Sequence, residues 1–158
     1  LSGPDGPISF GQGLVSQNCT LTPFFSTVDS GLVLNAALDS INTWTRTGKP
    51  AAPTRTYERD ASGAVMRDAA GNVQGRIQLA QFLARTAAIS LNGPAVFCVL
   101  AGHHRDFTAE ELKTRYGTNE NYVAQVTEAM TQAEKDGYIL AFDRDAAVKA
   151  AQDSAIAR

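Results

Sequence analysis

Apolar residues in the segment that follows Ser30 recur at steps of three and four, the period of an α-helix with one apolar face. The repeating positions are Leu34, Leu38, Ile41 and Trp44. Asp29 or Ser30 can cap the start of this helix, because either side chain can accept a hydrogen bond from a free amide of the first turn. Gly48 and then Pro50 end the pattern. The spacing therefore predicts an amphipathic helix between Ser30 and Gly48.

A second helical pattern begins with the sequence of a capping box. Thr108 precedes Glu111 by three positions, so the Thr108 hydroxyl can accept from the Glu111 amide while the Glu111 carboxylate accepts from the Thr108 amide. This arrangement predicts a helix start, and Gly117 predicts the end of that helix. Thr118 can cap the next helix, whose apolar stripe continues to Gly137.

The chain is predicted to end in one more helix. Residues Tyr138–Phe142 are expected to be a link, and a helix is expected after Asp143 as its cap. The apolar positions of this helix are Val148, Ala151 and Ala155. Residues 107–158 are therefore predicted to form a helical unit in which the two longer helices make an αα-hairpin.

Between these helical regions the pattern is irregular. Residues 1–29 are rich in Gly, Ser, Pro and Thr and are predicted to be an irregular arm or linker, separate from residues 30–158. Residues 75–88 fit either a short helix or an extended segment. The apolar run from Ala95 to Leu100 fits either a buried strand or a buried loop.

Two D-x-x-G turns lie eight residues apart, at Asp60–Gly63 and Asp68–Gly71. Such turns predict a small β-hairpin or meander around Ala64–Met66, since Asp can cap a turn and Gly tolerates positive φ. A calcium loop is the alternative, but the acidic residues do not have EF-hand spacing. The predicted fold class is thus α-rich α+β: an irregular N-terminal arm, a helix, a small β-hairpin region and a C-terminal helical unit.

Composition narrows the classes of function. Of the 158 residues 44% are hydrophobic and 19% charged, which suits one globular unit with its own core. The net charge of −2, with both signs interspersed, argues against a nucleic-acid partner, because such binding needs clustered Lys and Arg. The apolar runs are far shorter than the roughly 20 residues that span a bilayer, so no membrane span is expected.

Candidate chemistry is sparse. The chain contains no G-x-S-x-G, the elbow that exposes the nucleophile of an α/β-hydrolase. His103 and His104 are its two histidines and are pocket candidates, as a base or ligand, against the alternative of a polar loop. Cys19 and Cys98 can form a disulfide or remain apart as buried apolar groups. A thiol or metal enzyme built on Cys98 and the histidines lacks any organising spacing, so no catalytic residue, metal or cofactor is assigned.

The order of several stretches resembles the C-terminal region of the alpha/beta hydrolase domain-containing family of large esterase-like proteins. The resemblance covers roughly residues 31–156. The stretches that carry it are 32–38 with Trp44, 48–50, 68–77, 98–102, 107–116, 122–126 and 137–138.

The resemblance implies ester hydrolysis by a Ser-His-acid triad. In such proteins the nucleophile elbow and the usual catalytic His lie upstream of the region that matches Leu34, so no residue of this chain takes their role. The implied function is to complete a larger α/β-hydrolase fold, as scaffold and as pocket wall through residues 76–104. The implied partner is the remainder of the hydrolase polypeptide or a second subunit. The family's frequent export, together with the possible disulfide, implies a secreted or periplasmic location. The alternative is a non-catalytic helical protein-interaction module.

Overall fold

The elements of the chain follow the helical and turn patterns of its sequence closely. They are taken from a computed structural model that describes residues 2–3, 6–7, 28–68, 73–90 and 103–158. The elements are β1 (Ser2–Gly3), β2 (Gly6–Pro7), α1 (Gly31–Thr47), α2 (Ala80–Leu83), β3 (Ala87–Ser90), β4 (His103–Asp106), α3 (Ala109–Tyr116), α4 (Asn119–Lys135) and α5 (Ala141–Asp153). Within this part of the chain the fold is helix-rich, with two small antiparallel sheets, β1 with β2 and β3 with β4. The predicted α-rich α+β class is confirmed. Apart from β1, β2 and residues 28–29, the predicted N-terminal arm lies outside the described residues.

Helix α1 confirms the prediction made from the apolar period. Ser30 occupies the N-cap position, but the capping hydrogen bond is made by Asp29, whose Oδ1 accepts from the Gly31 amide at 2.8 Å. Gly48 closes the helix with φ 73°, and its amide donates to the Trp44 carbonyl at 2.8 Å. Gly at this position avoids the steric cost that a β-carbon meets in the left-handed region.

The apolar stripe of α1 is exposed. Leu32 and Val33 pack against the core and Ala36 is buried, so the helix already uses another side for packing. The stripe consists of Leu34, Leu38, Ile41 and Trp44, which are between 52% and 59% exposed. The helix therefore has two apolar sides, of which the described residues cover one.

The first D-x-x-G turn forms the predicted hairpin. Antiparallel bridges join Arg59 to Val65 and Arg67 to Val73. Asp60 Oδ1 accepts hydrogen bonds from the Ser62 amide and hydroxyl and from the Ala64 amide, at 2.6 to 3.1 Å. These hydrogen bonds, that of the Ser62 hydroxyl first, lower the pKa of Asp60. The Asp60 oxygen is thus occupied in capping the turn, as the turn prediction requires. The second turn lies largely outside the described residues.

The segment that the sequence left open between helix and strand contains both. Helix α2 is a single turn, and β3 begins four residues after it and pairs with β4. The pairing of β3 with β4 is extended by one hydrogen bond, in which the Phe107 amide donates to the Thr86 carbonyl at 2.9 Å. The apolar run from Ala95 to Leu100 lies outside the described residues.

The helical unit starts as predicted. The Thr108 hydroxyl accepts from the Glu111 amide at 3.2 Å, and a Glu111 oxygen accepts from the Thr108 amide at 2.8 Å. Thr118 caps α4 by accepting from the Asn121 amide at 3.3 Å. Helices α4 and α5 pack on each other as the predicted αα-hairpin.

The start of α5 was predicted three residues too late. The helix begins at Ala141, and Asp143 is its third residue rather than its cap. The Asp143 carboxylate reaches back to accept from the Leu140 amide at 3.4 Å. A carboxylate in the first turn is stabilised by the free amides and by the positive end of the helix dipole, so Asp143 supports the helix start from inside.

The core lies where α4 meets its neighbours. Met130 is its most buried large side chain, 1% exposed. Tyr116 packs edge-on against Tyr122, with ring centroids 5.0 Å apart, and its hydroxyl donates to the Arg85 carbonyl at 2.5 Å. Burial raises the pKa of Tyr116 to about 12. The core members are Leu79, Ala84, Tyr116, Tyr122, Val126, Met130, Ala133, Ile139, Ala151 and Ala157.

Candidate functional site

A cleft of about 980 Å³ lies between the start of α1, the chain at 51–59 and 75–82, and the turn after α4. Its described lining mixes apolar side chains, among them Val33, Ile77 and Phe82, with three arginines. The arginines are Arg55, Arg59 and Arg76. A volume of this size is in the range of small-molecule sites.

The segment at 51–59 is held in place by Tyr138. The Tyr138 hydroxyl donates to the Pro53 carbonyl at 2.6 Å and accepts from Arg55 Nε at 3.0 Å. An Arg55 terminal nitrogen lies 3.2 Å from Asp136 Oδ2, and the guanidinium stands 5.5 Å from the centre of the Tyr138 ring. The interaction with Tyr138, its hydrogen bond first, raises the pKa of Arg55, and Asp136 adds a smaller contribution in the same direction. We call this group of four residues the Tyr138 clip.

The contact between the segments at 51–59 and 75–82 depends on Gly75. Its φ is 82°, and a β-carbon there would lie 2.2 Å from the Thr56 carbonyl oxygen and 2.9 Å from the Glu58 amide nitrogen. The Glu58 amide donates to the Gln74 carbonyl at 3.1 Å, so the two segments are hydrogen-bonded to each other at this point. Only glycine permits both the backbone angle and the close approach.

Arg76 lies deepest of the three arginines. Its side chain is 15% exposed, and its two terminal nitrogens donate to the Val73 carbonyl at 2.6 Å and to Asp68 Oδ2 at 3.1 Å. The guanidinium stands 4.7 Å from the centre of the Phe82 ring, a cation–π distance. Its Nε is buried and has no hydrogen-bond partner among the described residues.

The three arginines of the cleft differ in how far nearby carboxylates neutralise them. Asp29 is the one carboxylate among the described lining residues, and one of its oxygens already accepts from the Gly31 amide. Arg55 and Arg76 are paired with Asp136 and Asp68. In the part of the chain that the structure describes, no carboxylate lies within ion-pair distance of Arg59, which donates to the Gly63 carbonyl at 2.7 Å.

The histidines lie in strand β4. The backbone of His103 and His104 belongs to β4, where His104 pairs with Ile89, and neither histidine is among the described lining residues. The His104 side chain is 16% exposed, with Nε2 4.0 Å from Asp106 Oδ1. Their role as pocket candidates stays a prediction. Cys19 and Cys98 lie outside the described residues, and their pairing stays a prediction too.

Sequence reasoning did not select most of the residues that line the cleft. Four of them, Arg76, Ile77, Leu79 and Phe82, belong to the stretch 76–104 that was expected to wall the hydrolase pocket, and that role stays a prediction. Arg55, Tyr57 and Arg59 alternate in the sequence, and all three line the cleft. Alternation alone does not indicate which other segment such side chains meet. Among the described residues, no group of three or more His, Cys, Asp or Glu is placed to hold a metal ion. Nor is any described helix long and apolar enough to cross a membrane.

Comparison with known families defines the class of protein. The model of a family described as alpha/beta hydrolase domain matches residues 4–149. The chain belongs to this family, and the match confirms the resemblance and extends it across the N-terminal arm. Searches of curated proteins and of solved structures each return no match.

Proposed function

We propose that this chain is the C-terminal segment of a serine ester hydrolase, supplying scaffold and a pocket wall but not the nucleophile. Family membership supports hydrolase-type function. The sequence contains no G-x-S-x-G for the nucleophile elbow. In this proposal the serine belongs to the remainder of the hydrolase, either on the same polypeptide or on a second subunit.

The exposed stripe of α1 is the observation that carries the proposal. Four large apolar side chains along one face of this helix are each more than half exposed. Burying the exposed part of each contributes roughly 1 kcal/mol, so a partner surface gains appreciably by covering them together. The described β structure consists of two-stranded antiparallel sheets and isolated bridges. The parallel sheet of an α/β-hydrolase is therefore the surface that we expect the stripe to cover.

The experiment uses the chain with its native partner. Material is isolated from its natural source through this chain and treated with a fluorophosphonate, which labels activated serines. We expect the label on a companion polypeptide, or on a longer form of this chain outside these 158 residues. We also expect Leu38→Gln to abolish the association, while Leu83→Gln leaves it intact, because Leu83 is 51% exposed on α2, away from the stripe.

Each contrary result has a clear meaning. A companion that binds through Leu38 and carries no activated serine would replace the hydrolase segment by the non-catalytic helical interaction module. Fluorophosphonate labelling within these 158 residues would overturn the statement that the nucleophile lies elsewhere. Equal effects of Leu38→Gln and Leu83→Gln would remove the stripe as the contact.

A further inference from the structure

We propose that the cleft beside the Tyr138 clip binds an organic carboxylate with an apolar body. This inference does not rest on the hydrolase role, since it follows from the cleft's own lining. Three arginines line the cleft, and one of them, Arg59, has no carboxylate within ion-pair distance among the described residues. The apolar side chains Val33, Ile77 and Phe82 line the same space. A ligand that matches both features has one negative group and a hydrophobic chain or ring.

The anion is expected to bind Arg55 and Arg59, because both have hydrogen-bond donors left over. Arg55 uses Nε for Tyr138 and one terminal nitrogen for Asp136, which leaves the other terminal nitrogen. Arg59 uses one terminal nitrogen for the Gly63 carbonyl, which leaves the other and Nε. The Arg55 side chain is 47% exposed and Arg59 is exposed, so a ligand can reach both. Hydrogen bonds between guanidinium and carboxylate are among the stronger ones in proteins.

Arg76 contributes through its charge. Its unpartnered Nε is covered from solvent, so no ligand atom touches it in this conformation. A buried guanidinium with one unsatisfied donor is an electrostatic cost that a nearby anion reduces. The ring of Phe82, on which Arg76 stacks, is expected to contact the apolar part of the ligand. The positive group and the apolar wall are thus adjacent.

The test is a titration of the whole chain with sodium octanoate, followed by the amide chemical shifts. We expect saturable shifts at residues 55–59 and 75–77. Arg59→Gln should weaken binding on the order of tenfold, the usual loss for a hydrogen bond to a charged group. Arg46→Gln is the matched control, because it removes the same charge from the last turn of α1, outside the described lining. Binding should also weaken as salt is raised.

Two further probes test the contributions of the ligand's charge and of its apolar chain separately. Octanamide has the same chain without the charge and should bind more weakly than octanoate, with no loss in Arg59→Gln. Inorganic phosphate has charge without the chain and should bind more weakly than octanoate. The proposal is overturned if octanoate gives no saturable shifts at the cleft, if Arg59→Gln binds as the unsubstituted chain does, or if either probe equals octanoate. Unchanged thermal unfolding of Arg59→Gln establishes that the variant is folded.

Discussion

Gly75 lies so close to Thr56 that a β-carbon on Gly75 would stand 2.2 Å from the Thr56 carbonyl oxygen. No relaxed contact of that length exists, and the atom that would have to move is backbone. We therefore predict that Gly75→Ala lowers the free energy of unfolding by at least about 3 kcal/mol, measured by urea denaturation. The substitution forces apart two segments of the chain that the Glu58–Gln74 hydrogen bond holds together.

Gly63→Ala is the matched control for this prediction. Gly63 has φ 85°, close to the 82° of Gly75, yet nothing lies within 4 Å of the position that a β-carbon on Gly63 would occupy. Its substitution should cost only the left-handed backbone strain, about 1 to 2 kcal/mol. Equal losses in the two variants would mean that φ alone, and not the approach to Thr56, makes Gly75 necessary.

The sequence predicts features that depend on near neighbours and misses those that join distant segments. The capping box of Thr108 and Glu111 is complete within four residues, so its chemistry is visible in the sequence. Asp143 was misplaced because a carboxylate stabilises a helix start from the cap or from the first turn, and residue type does not distinguish these positions.

The candidate site was missed for a related reason. The hydrogen bond between Arg55 and Tyr138 joins residues 83 positions apart, and no local pattern indicates that they meet. The apolar period of α1 predicted the helix correctly. The period does not indicate what covers the apolar face, and Leu34 and Leu38 are more than half exposed.

The core of the helical unit should be sensitive at Met130. This side chain is 1% exposed, and its truncation leaves a cavity that close packing cannot fill. We predict that Met130→Ala lowers the free energy of unfolding by about 2 to 5 kcal/mol. Met66, the other methionine, is 41% exposed, and Met66→Ala should stay within about 0.5 kcal/mol. A comparable loss at both sites would contradict the packing assigned to α4.

Glu111 should make the stability of α3 depend on pH. The hydrogen bond from Arg105, followed by that from the Thr108 amide, lowers the pKa of Glu111 to about 2 from 4.5. A depressed pKa means that the folded chain prefers the ionised carboxylate. Its stabilisation is therefore complete above about pH 4.5 and is lost as the pH falls through about 2.

The corresponding variant is Glu111→Gln, with melting temperature as the measurement. At neutral pH it should melt a few degrees below the unsubstituted chain, and the difference should shrink as the pH falls from about 4.5 towards 2. Glu110→Gln is the control, because Glu110 lies in the same first turn without a hydrogen bond to the described side chains. A difference that persists unchanged in acid would show that the Glu111 carboxylate charge is not the cause.

The Tyr138 clip should stabilise the wall of the cleft through one hydroxyl. Tyr138 is 7% exposed, and Tyr138→Phe keeps the ring while removing the bonds to Pro53 and Arg55. We predict a loss of about 1 to 2 kcal/mol in the free energy of unfolding, since the Pro53 carbonyl then lacks its partner. Amide exchange at Glu58, whose amide donates to the Gln74 carbonyl, should quicken at the same time, because the segment loses its attachment to the turn after α4.

Tyr57→Phe provides the comparison for the clip, because Tyr57 also lines the cleft but is 60% exposed. Its stability should change by less than about 0.5 kcal/mol. If Tyr138→Phe were as stable as the unsubstituted chain while exchange at Glu58 still quickened, the clip would order the cleft wall without stabilising the fold. If neither quantity changed, the hydroxyl would have no part in holding the segment, and the position of Arg55 in the cleft would depend on Asp136 and on the aromatic ring.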